Sequence, residues 1–148
     1  MANNSFVYVT FIKTTPEALW AALTEPEFTR KYWYGVTQES DWKPGSAWKM
    51  VFKDGQVADA GEIVEIDPPK RMVIKWRNEF RPELKEEGYS RCVIEIEKME
   101  NIAKLTISHS MPKDNSKFIE AVSGGWPMIL SNLKSLLETG EVMMPERA

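Results

Sequence analysis

The sequence predicts an α+β fold in which an antiparallel sheet wraps around one long C-terminal helix. Three observations predict it. Most segments between Phe6 and Met111 are short, rich in aromatic and β-branched residues, and bounded by turn signals, as strands are. Near the C-terminus Trp126, Ile129, Leu130, Leu133, Leu136 and Leu137 recur at three-and-four spacing, which gives a helix one apolar face. The strands each have one apolar side as well, and the helix is its natural cover.

The elements follow in order. Phe6 to Ile12 reads as the first strand. Thr14-Thr15-Pro16-Glu17 then starts a helix with a threonine cap, a proline in the first turn and an acidic residue behind it. That helix, Pro16 to Leu23, places Leu19, Trp20 and Leu23 on one face, with Trp20 as its core anchor. Thr24-Glu25-Pro26-Glu27 repeats the signal for a second short helix ending near Lys31. A meander comes next: Val36 to Glu39, a turn at Asp41 to Gly45, Ala47 to Phe52, an Asp54-Gly55 hairpin turn, and Val57 to Ile66. Asp67-Pro68-Pro69 closes that strand and Arg71 to Glu79 forms another. Phe80 to Gly88, charged and carrying Pro82, is expected as an exposed, mobile loop. Tyr89 to Lys98 and Ala103 to Met111 make the last hairpin.

Asp114-Asn115-Ser116 is expected to cap a turn over Lys117 to Val122. Gly124, Gly125 and Pro127 then weaken a continuous helix, so a break or kink is expected near Gly124. The main helix should run to about Thr139, with Gly140 as its C-terminal cap. A single domain spanning 1–148 is expected, with an ordered core over about 5–140 and a frayed tail from Glu141 to Ala148.

Strand parity sorts the side chains. Met72, Ile74 and Trp76 share a face opposite Lys75 and Arg77. Cys92, Ile94 and Ile96 oppose Arg91, Glu95 and Glu97. Leu105, Ile107, His109 and Met111 oppose Lys104, Thr106 and Ser108. The outward charges, Arg71 included, are expected to pair across strands.

Composition narrows the function classes. A net charge of −3 with scattered basic residues argues against a nucleic-acid-binding surface and against a polybasic membrane patch. No run approaches the length of a membrane span, and Met1 to Ser5 lacks the features of a signal peptide. One cysteine, Cys92, rules out an intramolecular disulfide, so a cytoplasmic location is expected. One histidine and one cysteine cannot make a conventional zinc set, and neither a nucleophile elbow nor a phosphate-binding glycine loop occurs. No metal or cofactor is expected. Six Trp and eight Met suit either an irregular core or an adaptable apolar pocket.

The stretch Thr15-Pro16-Glu17-Ala18-Leu19-Trp20-Ala21-Ala22-Leu23-Thr24-Glu25-Pro26-Glu27, followed by Tyr32-Trp33, resembles the opening of START-like, helix-grip (SRPBCC) proteins. Within that superfamily the chain looks most like the group related to the C-terminal domain of the activator of Hsp90 ATPase. Gly61 to Pro69, Met72 to Trp76, and Gly125-Trp126 through Leu130, Leu133 and Leu137 to Gly140 extend the resemblance over nearly the whole chain. The resemblance implies a curved antiparallel sheet gripping the C-terminal helix with a cavity between them. It implies little about activity, because the superfamily hosts carriers, receptors, cyclases and co-chaperone domains. The eukaryotic activator carries a separate N-terminal domain for which this chain has no room, so direct Hsp90 stimulation is not expected from the resemblance.

The cavity so implied would be walled by Tyr32, Trp33, Trp48, Phe52, Met72, Ile74, Trp76, Cys92, Ile107, His109, Trp126, Ile129, Leu130 and Leu133, residues that serve equally well as core. His109 is either a buried histidine satisfied by neighbours or a polar anchor or proton-transfer group. Cys92 reads as a small core hydrophobe. Glu62 is either an exposed strand residue or, beside Ala60 and Val64, a carboxylate aimed inward that would need a partner. The leading expectation is a non-enzymatic protein binding an apolar or amphipathic small molecule. The alternatives are a cyclase- or dehydratase-like enzyme using His109 and Glu62, or a protein-interaction domain. The latter would be a chaperone partner, a stress-response partner or a homodimer.

Overall fold

The computed structural model describes residues 4–144. Strand β1 (Ser5–Ile12) is followed by helices α1 (Pro16–Thr24) and α2 (Pro26–Tyr32). Strands β2 (Thr37–Ser40), β3 (Ala47–Val51), β4 (Val57–Asp67) and β5 (Arg71–Asn78) come next. A short helix α3 (Pro82–Lys85) leads to β6 (Ser90–Met99) and β7 (Ile102–Ser110), and α4 (Lys117–Thr139) completes the fold. The seven strands form one antiparallel sheet in the order β1-β7-β6-β5-β4-β3-β2, so β1 and β2 are its edges. This is the α+β helix-grip arrangement that the sequence predicts.

Local signals set the helices. Thr15 caps α1 by accepting from the Ala18 N–H at 3.1 Å, with Pro16 in the first turn. Leu19, Ala22 and Leu23 are buried, whereas Trp20 is only partly buried against the core. The Tyr32 hydroxyl donates to the Ala22 carbonyl at 2.9 Å and locks α2 against α1. Gln38 stitches the same region to the sheet: its amide donates to Leu23 O at 2.8 Å and its carbonyl accepts from Trp48 Nε1 at 2.9 Å.

Parity holds on β5, β6 and β7, where Met72, Ile74, Trp76, Cys92, Ile94, Ile107 and His109 are all buried. It fails on β4. The register shifts between Ile63 and Glu65, so Val64 sits at a bulge and is exposed. Asp59, Gly61 and Ile63 are therefore the partners of the inward Asn78, Trp76 and Ile74. Glu62 pairs with the exposed Lys75 and belongs to the outer face. Gly61 marks a close approach: a Cβ there would fall inside the Lys75 carbonyl. On the outer face Arg71 bonds Glu95 at 2.8 Å, and Lys75 and Arg77 both lie over the Tyr89 ring.

Two local expectations, on α4 and on the segment before β6, are corrected. Helix α4 is continuous from Lys117 through Gly124, with Pro127 inside it. Burial of Trp126, Ile129, Leu130 and Leu133 on one face outweighs the weak propensity of the two glycines and the proline. Ser116 caps it, accepting from Ile119 N at 3.1 Å and donating to Glu87 at 2.5 Å. Glu87 also accepts from the Lys117 N–H at 2.9 Å, placing a carboxylate at the helix N-terminus. The Phe80 to Gly88 segment is not a plain exposed loop, because α3 forms there and buries Leu84. In the expected tail, Met144 is held by both ends of the Asn132 amide, at 2.8 and 2.9 Å. Residues 145–148 of that tail lie outside the described residues, as do 1–3.

Two glycine substitutions probe these conclusions in opposite directions. Gly61→Ala should cost about 2 kcal/mol or more in urea unfolding, because backbone must move to admit the methyl. Gly124→Ala meets open space on an exposed helix position and should gain about 1 kcal/mol.

Candidate functional site

A cavity of about 180 Å³ opens between α4 and the far ends of β4 and β5. Its sheet side is Asp59, Trp76 and Asn78. The α3 segment adds Phe80, Arg81 and Leu84, and α4 adds Phe118, Ala121, Val122, Gly125, Trp126 and Ile129. Trp33, just after α2, closes the remaining side. The wall is dominated by aromatic and aliphatic carbon. The three tryptophans pack as a triangle with ring centroids 5.3 to 6.2 Å apart.

Asp59 brings the one acidic group to that wall. Withdrawal from water pushes its carboxyl up from 3.8 to about 7, since burial disfavours the charged form and Glu79 adds like charge. The Trp76 indole N–H and the Asn78 amide partly offset this from the same side. Trp76 Nε1 is buried and makes no hydrogen bond of standard geometry. Asn78 is oriented by the Arg81 N–H, which donates to its Oδ1 at 2.9 Å and leaves its NH₂ for other acceptors.

Among the expected wall residues, Trp33, Trp76, Trp126 and Ile129 line this cavity. Tyr32, Trp48, Met72, Ile74, Cys92, Ile107, Leu130 and Leu133 are packed in the core instead, each with almost no exposure. Phe52 meets Phe80 edge-on at 5.1 Å but stays outside the lining. Burial raises the Cys92 thiol well above its ordinary pKa, which keeps it protonated and unreactive.

His109 is also enclosed, and both ring nitrogens are used. Nδ1 accepts from Trp126 Nε1 at 3.1 Å, which places the proton on Nε2. Nε2 then donates to Ser90 Oγ at 2.8 Å, and Ser90 donates to the Trp76 carbonyl at 2.7 Å. Burial pulls the imidazole pKa down to about 3. This chain of bonds runs from α4 through β7 and β6 to β5, and it positions Trp126 and Trp76 in the cavity wall. The residues proposed from sequence for proton transfer are thus apart: His109 lies within the core and Glu62 on the outer face.

Sequence reasoning missed Asp59, because counting parity straight through the Val64 bulge puts Ala60 inward. One signal was present in β5, whose alternation Met72, Ile74, Trp76 continues to a polar Asn78 at an inward position. Among the described residues no group of His, Cys, Asp and Glu could hold a metal ion. Among the described residues no helix is long and apolar enough to cross a membrane.

The two shifted groups give opposite pH slopes. The folded state retains the Asp59 proton that the unfolded chain has lost, so this group costs stability as pH rises from about 4 to 7. His109 contributes fully above about 6.5 and loses its contribution as pH falls toward 3. Asp59→Asn should therefore raise urea stability near pH 8 by at most about 4 kcal/mol, with little effect near pH 4. The ¹⁵N shifts of His109 should show a protonated Nε2 and no titration across neutral pH.

Comparison with known proteins follows the same outline. The family model described as activator of Hsp90 ATPase homolog 1-like protein matches residues 13–138. No curated protein sequence matches the chain. An HSP90 activator from Plasmodium falciparum superposes with a TM-score of 0.73 at 26% identity, over 90% of this chain and 96% of that one. The Aha1 dimer from Colwellia psychrerythraea gives 0.74 at 20% identity, over 92% and 97%. A Mesorhizobium loti protein gives 0.75 at 20% identity, over 90% and 96%.

Proposed function

Because the chain belongs to the activator of Hsp90 ATPase homolog 1-like family, whose scaffold lays a long helix across a sheet, we propose that it is a small-molecule binding protein. The ligand is apolar or amphipathic and sits between α4 and the ends of β4 and β5. The observation that carries this reading is an open cavity with an aromatic wall and one partly buried carboxyl, the usual make-up of a ligand site. Its modest volume of about 180 Å³ suits a compact ligand better than a long lipid.

Gly125 offers a clean test, because a Cβ there meets nothing within 4 Å. Gly125→Leu should fill the cavity while leaving the fold intact. Solvent extraction of the purified chain and mass spectrometry should then release a compound from the wild type that is absent from the variant. Equal recovery from both, or nothing above background from either, would remove the reading.

A protein-partner reading rests on a different surface. Val7, Val9 and Phe11 are exposed on the edge strand β1, an apolar row unlike the charged outer face of β5 and β6. The Plasmodium relative is an HSP90 activator, so the partner to try is that chaperone. Stimulation of Hsp90 ATPase that disappears with Val9→Lys would support this second reading, and an unchanged rate would end it.

A further inference from the structure

Resting on the cavity as a ligand site, we propose that its occupant is a small organic cation, an ammonium group held by Asp59 with its hydrocarbon part against the tryptophan wall. Three features point the same way. The first is the sign of the fixed charge. Asp59 contributes to the wall, Glu79 stands close enough to act on it, and the cationic lining residue, Arg81, is exposed and bonded to Glu83 at 2.9 Å. Glu79 lies outside the lining and is itself paired with Arg77 at 2.5 Å and Lys85 at 3.3 Å, so the carboxylate a ligand meets is Asp59, which among the described residues has no ion-pair partner.

The second is the wall itself. Trp33, Trp76, Trp126 and Phe118 present ring systems whose faces carry negative potential, and such faces attract ammonium groups most strongly where water is excluded. The third is how the carboxyl is held. Asn78 has its oxygen occupied by the Arg81 N–H, so its amide can only donate toward Asp59, and Trp76 Nε1 is a buried donor left without a standard bond. Donors beside the carboxyl favour its ionised form, and a cation in the cavity would complete its pairing.

Binding should follow the ionisation of Asp59. The groups acting on it are Trp76, Asn78 and Glu79 from β5 and its extension, with Arg81 at the rim. The α4 face opposite contributes Phe118, Ala121, Val122, Gly125, Trp126 and Ile129, none of which titrates. Burial keeps the carboxyl half-protonated near pH 7. Affinity for a permanently charged amine should therefore fall about tenfold from pH 8 to pH 6.

The test compares benzylamine with its neutral analogue benzyl alcohol, titrated into the ¹⁵N-labelled chain while the tryptophan indole signals are followed. Benzylamine should shift the Trp76 and Trp126 indole resonances and bind at least tenfold more tightly than benzyl alcohol. Asp59→Asn should remove that preference and leave the alcohol unaffected. If the alcohol binds as tightly as the amine, or the variant keeps the amine preference, the cation inference fails and the cavity reading stands. If neither probe shifts a cavity indole in the wild type, both fail. The wild-type probe pair decides the question even if the variant does not fold.

Discussion

The structure depends on one buried polar chain, Trp126 Nε1 to His109 to Ser90 to the Trp76 carbonyl. Apolar contact alone would let α4 slide or rotate on the sheet, since hydrophobic attraction is not directional. A hydrogen bond from the helix into the middle of three strands fixes both height and rotation. The donors and acceptors run in one direction, which is possible only while the imidazole is neutral. Burial keeps it so. A network of this kind is costly to leave half-made, and that cost is what makes the docking unique.

The same chain decides what is core and what is cavity. By drawing Trp126 toward His109 and Trp76, it closes the space over Met72, Ile74, Cys92 and Ile107, which pack without exposure. The remaining space is displaced toward the Phe118 end of α4, where Gly125 and Ala121 leave room and α3 forms the opposite lip. Here the opening is shallow, aromatic and small.

Much of this was legible in the sequence, and the failures have physical causes. Period-two alternation exposed the inward faces of β5, β6 and β7, and the Thr15-Pro16 start signal placed α1, because both depend on neighbours in the chain. The Val64 bulge was not legible: one extra residue reverses the parity of everything before it, and no local preference announces it. That reversal hid Asp59 and made Glu62 look ambiguous. The continuity of α4 was hidden for a related reason. Local propensity at Gly124, Gly125 and Pro127 argues for a break, while the tertiary burial that overrides it involves strands far away in sequence. The bond that the capping Ser116 hydroxyl donates to Glu87, just after α3, is equally non-local.

Gly61 has a consequence beyond its own backbone. The register sets it between Trp48 on β3 and Trp76 on β5, and those two indoles meet over it with centroids 4.5 Å apart. The methyl that Gly61 lacks would strike the Lys75 carbonyl, so β4 lies this close to β5 only with glycine there, and its register partners on either side come into ring contact. Positions 48, 61 and 76 therefore form a single packing unit, a glycine seat with two aromatic occupants. Their energetic contributions cannot be separated by changing one member at a time. Trp76 belongs to this unit, to the polar chain and to the cavity wall at once. Mechanical disturbance at any of the three is thereby shared with the other two.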